Sequence, residues 1–126
     1  PNGEVAFIDL EYFGWDDPVK MMSDFLVHPA RDIAEDLKQQ FVDQVLKEFE
    51  DSPGIKDRLK VLFPFFGLKW CLILLNEFIP EDQKRRHFAK AEVKDKDKVK
   101  AEQLDKSKNM LERVKAARSE FPYDGC

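Results

Sequence analysis

The chain is poor in the side chains from which most metal centres and covalent catalysts are built, with two cysteines and two histidines in all. His28 and His87 stand far apart with no Cys or His at ligand spacing, so neither a zinc centre nor a histidine-activated nucleophile has support. Cys71 lies inside an apolar run and Cys126 is the last residue, a poor pair for a structural disulfide. Cys126 has no visible activating base, so a thiol enzyme is not indicated. A reducing, cytoplasmic setting is the expectation. A basic leader is lacking too, because the first residues are acidic and strand-like. Residues 84–118 hold most of the Lys and Arg, yet Phe88 is the one aromatic among them, no series of aromatics is interleaved for base stacking, and Lys alternates with Asp and Glu. That pattern reads as solvated helix surface and argues against a nucleic-acid or membrane partner.

What is present is material for one modest domain, residues 1–126, with one core. Hydrophobic residues at 43% fit a globular chain, and 37% charged residues imply long solvated helix faces. Val5 to Ile8 reads as a short buried strand, preceded by the hairpin signal Asn2-Gly3 with almost nothing before it to form a partner strand. Gly14 to Pro18 is a turn, and Pro18 suits the first turn of a helix capped by Asp17 and ended by His28-Pro29. Residues 1–17 thus form a strand and turn, residues 18–117 a helical body and residues 118–126 a tail.

In the helical body, Ile33, Leu37, Phe41, Val45 and Phe49, widened by Ala34, Val42 and Leu46, recur as the stripe of an amphipathic helix over Ala30 to Glu50. Ser52 and Pro53 open another helix through Leu59 to Phe63, which Pro64 is expected to break or kink. Phe65 to Ile79 is almost continuously apolar, too short and too charged to span a membrane, and is the candidate core helix, packed against Ala30 to Glu50. Pro80-Glu81-Asp82 opens a further helix through Ala91. A last helix, Val99 to Ala117, has few apolar side chains to bury and is expected to lie weakly held across the surface. Phe121 or Tyr123 would anchor the tail.

The segment Phe7-Ile8-Asp9-Leu10-Glu11-Tyr12, followed by Gly14-Trp15-Asp16-Asp17-Pro18, resembles the metal-binding segment of the aminoglycoside phosphotransferase and choline kinase-like family, relatives of the protein kinases. The likeness continues through Asp24 to Pro29 and from Leu68 to Pro80, and so covers most of the chain. The resemblance implies a mainly α fold: the helical C-terminal lobe portion of a protein-kinase-like enzyme, with a short N-terminal β-strand or hairpin remnant. It implies an ATP- and Mg²⁺-dependent phosphotransferase acting on a small hydroxylated acceptor, with Asp9 in the role of the magnesium-binding aspartate. The chain departs from many members at Met21, where they carry an Asp.

Glu11, two residues beyond Asp9, would project to the same side of extended backbone and reach a second cation or order a water, or else pair with a basic side chain. Without the resemblance, an Asp after an apolar strand is more often a turn or cap residue than a metal ligand. Asp16 and Asp17 read first as capping residues. Tyr12, Phe13 and Trp15 could line an acceptor site, although packing of the turn is the commoner job for such aromatics. Lys69, Asn76 and Glu77 form a polar stripe on the apolar helix, either part of an acceptor cleft or one strip facing water.

A kinase-like enzyme also needs a catalytic loop and a nucleotide lobe, and 126 residues hold neither. The expectation is therefore the C-terminal part of such an enzyme, inactive alone and partnered by the missing N-terminal part of the same protein. Exposed apolar surface would also permit a homodimer. The competing reading is a non-catalytic helical protein-interaction module whose strand Val5 to Ile8 pairs with another chain.

Overall fold

A computed structural model describes Ala6, residues 14–80 and residues 95–124. Among the described residues it is mainly helical, without strands. The α-helices among the described residues are α1 (Pro18–Val27), α2 (Glu35–Glu48), α3 (Ile55–Leu74) and α4 (Lys96–Ser119), and a 3₁₀ turn, Leu75–Phe78, extends α3. The expected strand Val5 to Ile8 and most of the helix from Pro80 to Ala91 lie outside the described residues.

α1 begins where its local chemistry says it should. The Asp17 side chain accepts a hydrogen bond from the Val19 N–H at 2.9 Å, and Pro18 gives up no helical bond at that position. Val27 is the last residue before His28-Pro29. Val19 and Met22 are wholly buried and Leu26 nearly so, which fixes the buried face of α1.

Of the two outcomes expected at Pro64, a break or a kink, α3 rules out the break. The helix runs unbroken through Pro64, losing one backbone hydrogen bond, because Leu59 and Phe63 before it and Gly67 and Cys71 after it are anchored in the same core. It starts later than predicted, after a turn in which Gly54 takes a left-handed conformation, φ 74°, that suits glycine. Joined across Pro64 and prolonged by the 3₁₀ turn, Ile55–Phe78 is long and apolar enough to cross a membrane by length and composition, contrary to the reading of Phe65 to Ile79 as too short. A third of its most apolar stretch is buried within the molecule.

The core sits between α1, α3 and α4. α4, expected to lie loosely on the surface, makes the most extensive packing of any element with α3, and α1 is next; the expected partner, α2, rests mainly on α1. Small side chains explain the reversal. A Cβ on Gly67 would collide with Cγ2 of Val114, and the Ser107 hydroxyl donates to the Cys71 carbonyl at 3.1 Å, so the two helices meet nearly backbone to backbone. An apolar count underrates such a helix. α2 extends over fewer residues than predicted, and its buried face is Lys38 and Val42, while Leu37 and Phe49 are exposed. Phe25 stacks on Phe41 with ring centroids 4.3 Å apart, linking α1 to α2.

The tail is anchored as expected. Phe63, Phe121 and Tyr123 form an edge-to-face triad with centroids 5.6 to 5.8 Å apart, and Tyr123 is buried.

Candidate functional site

Three groups of polar side chains could support chemistry, and each is built on the start or flank of a helix. The first is the turn before α1. Asp16 accepts from Lys20 and from the Asp17 N–H, and both bonds hold its carboxyl below the usual carboxylate range. Asp17 caps the helix with one oxygen and pairs with Arg58 of α3 through the other. Both carboxylates are therefore occupied structurally, Asp17 as the cap its position suggested and Asp16 as the partner of Lys20. Beside them an open cleft of about 820 Å³ is lined by Trp15, Pro18, Met21 and Phe49. Trp15 is fully exposed at its edge.

Of the residues singled out by sequence, Asp9, Glu11, Tyr12 and Phe13 lie outside the described residues. Among the described residues no group of three or more His, Cys, Asp or Glu is gathered in a way that could hold a metal ion. The described carboxylates at this turn, engaged as they are with Lys20, Arg58 and the helix N–H groups, do not by themselves make a magnesium site.

The second group joins α1 to α3. Asp24 receives the Lys69 ammonium and, at 3.0 Å, the Trp70 indole N–H. His28 sits edge-on to Trp70 with centroids 4.5 Å apart, and Lys69 lies 5.0 Å from the centre of the Phe66 ring. Lys69 is thus tied to a carboxylate and an aromatic face and is partly exposed. Glu77, in the 3₁₀ turn, is buried at 4% exposure, while Asn76 is half-buried, so the predicted polar stripe is not one strip open to water. Reasoning from sequence missed Asp24 and Trp70 as the centre of this knot. Asp24, near the end of α1, and His28, which caps it four residues on, supplied the available signal.

The third group links α2 to the tail. Tyr123 donates to Glu35 at 3.2 Å, and Lys38 pairs with the same carboxyl at 2.6 Å. The Lys38 bond holds Glu35 below its usual range; burial first, and then the Glu35 charge, push the Tyr123 phenol well above its own. A cavity of about 210 Å³ lies against this group, with Arg113 and Met110 of α4 in its wall. It is small for an organic substrate.

The first group has an open cleft at the end of a capped, core-anchored helix, the second is a structural tie, and the third closes the tail onto the body. No family model matches the chain, and neither a curated protein nor a solved structure matches it.

Proposed function

We propose that the chain is the C-terminal part of an ATP- and Mg²⁺-dependent phosphotransferase of the aminoglycoside phosphotransferase and choline kinase-like kind, acting on a small hydroxylated acceptor. The observation that supports this reading is the block Phe7 to Pro18, with its Asp9-Leu10-Glu11 core, running directly into α1. Asp17 caps that helix, and Val19 and Met22 bury it, so the segment that follows Asp9 ends on an anchored element beside an open cleft. Phosphoryl transfer asks a protein mainly to position groups, and a rigid support behind the ligand segment suits that task.

In this reading Asp9, helped by Glu11, would hold the magnesium, whose chemistry is to neutralise phosphate charge. Tyr12 and Trp15 would border the acceptor. Lys69 acts in it through Asp24 as a brace between α1 and α3, and Glu77 belongs to the interior of the same wall. A mainly helical C-terminal lobe and a cytoplasmic setting go with the proposal.

The test is turnover of the full polypeptide that contains this segment, measured with and without Asp9→Asn alongside thermal melting. Loss of at least a hundredfold in kcat with an unchanged melting temperature is the expected result. Unchanged turnover would remove Asp9 from the role and the proposal with it.

A further inference from the structure

Four apolar side chains of α3 face solvent on the side away from the core: Val61 and Phe65 are each 63% exposed, Leu68 is 40% and Leu72 is 68%. They recur at steps of four, three and four residues, the seam along which one helix accepts the knobs of another. Scattered exposed leucines need no explanation, but a continuous stripe at heptad spacing does.

The seam is not flat. Phe65, Leu68 and Leu111 form the floor of a groove of about 580 Å³ between α3 and α4, with Lys60, Lys115 and Arg118 around it and no carboxylate in its lining. Nearby acids only partly balance that charge. Asp124 is shared by Lys60 at 2.6 Å and Lys56 at 3.3 Å, and Glu112 pairs with Lys115 at 2.7 Å. Lys60 and Lys115 are thus each paired with one carboxylate, and Arg118 adds a third positive charge to the rim.

We propose that this groove receives an amphipathic helix that carries apolar residues at heptad spacing and acidic residues on its flanks. Apolar contact along the seam would supply affinity, and the basic rim would select the acidic partner and set its register. A second copy of this chain fits less well, because a two-fold contact through one patch sets the Lys and Arg rims against each other. A lipid surface fits less well too, since the stripe borders a groove whose lining descends to the buried Val114, a concave shape that suits an inserted side chain better than a flat bilayer. The inference does not rest on Asp9 or on phosphotransferase activity.

The experiment uses the whole chain and two synthetic three-heptad peptides with Leu at the seam positions, one flanked by Glu and one by Lys, read by fluorescence anisotropy. The Glu peptide should bind with a micromolar Kd, at least tenfold tighter than the Lys peptide, and the difference should shrink as salt rises. Phe65→Glu should weaken binding of the Glu peptide at least tenfold. Lys115→Glu with Arg118→Glu, both at exposed positions, should reverse the preference between peptides even if Phe65→Glu fails to fold. Equal binding of the two peptides, or binding of neither, overturns the proposal. So does self-association of the chain that competes with the peptide, or partition onto phosphatidylserine-containing vesicles in place of peptide binding.

Discussion

The two faces of α3 both carry rows of apolar side chains and meet opposite fates. Leu59, Phe63, Cys71 and Leu74 are buried against α1, α4 and the tail, whereas Val61, Phe65, Leu68 and Leu72 stand in solvent. The difference lies in the neighbours. Gly67 and Ser107 let α4 approach one face closely, and among the described residues the heptad face has one flank of α4 beside it. Hydrophobicity specifies that a face can be buried; the shape of the opposing surface decides whether it is.

The largest effect should come from cutting into the buried face. Leu59→Ala removes a wholly buried side chain and should cost about 2 to 5 kcal/mol in urea unfolding, while Leu72→Ala on the open face should stay within about 0.5 kcal/mol. Similar losses at both positions would mean that the faces are not energetically distinct.

Gly67→Ala sharpens the comparison at the point of closest approach. Its gain in helix propensity is about 1 kcal/mol, and the collision with Val114, stiff at its branched Cβ, should exceed it, leaving a net loss of about 1 to 2 kcal/mol. Adding Val114→Ala should bring back part of that loss if the contact is responsible, and thermal melting of the single and double variants reads this directly.

The smallest effect is the alkaline response of the tail that closes the buried side. The fold raises the Tyr123 pKa above its ordinary value of 10.0, so it prefers the neutral phenol. The resulting stability is fully present below about pH 10 and is lost as pH rises beyond it, by about 1 kcal/mol near pH 11. Tyr123→Phe should flatten that decline while leaving the urea midpoint near pH 8 almost unchanged.

Local signals in the sequence were legible where they act through neighbouring residues. Asp17 and Pro18 set the start of α1, His28 and Pro29 its end, and Phe121 and Tyr123 the anchoring of the tail. Features decided by contacts across the fold were not. Pro64 remained helical because packing on both sides of it outweighs one lost backbone bond, and α4 became the main partner of α3 through small residues that carry little hydrophobic signal. α2 shows the same limit in part: its stripe gave the correct element and Val42 within it is buried, with Phe41, Val45 and Leu46 against the core, but Lys38 rather than Leu37 faces inward beside it.

At the candidate site the capping role of Asp17 could be read from its position, whereas Asp16 pairs with Lys20 instead, and Lys69, read as part of a polar stripe, finds a partner. That its partner is Asp24, 45 residues earlier, could not, because the pairing depends on how α1 crosses α3. Asp9, Glu11 and Tyr12 remain readings of the sequence, and the Asp9→Asn turnover measurement bears on them directly.

The Cys71 thiol is buried at the α3–α4 contact, where its Sγ lies 3.6 Å from the Ser107 carbonyl oxygen and desolvation pushes its pKa up. A protonated, shielded sulfur reacts only when the helices part. In a Cys126→Ser background, alkylation of that one atom becomes a clock for the opening of the core, ticking at the rate at which α4 lifts away.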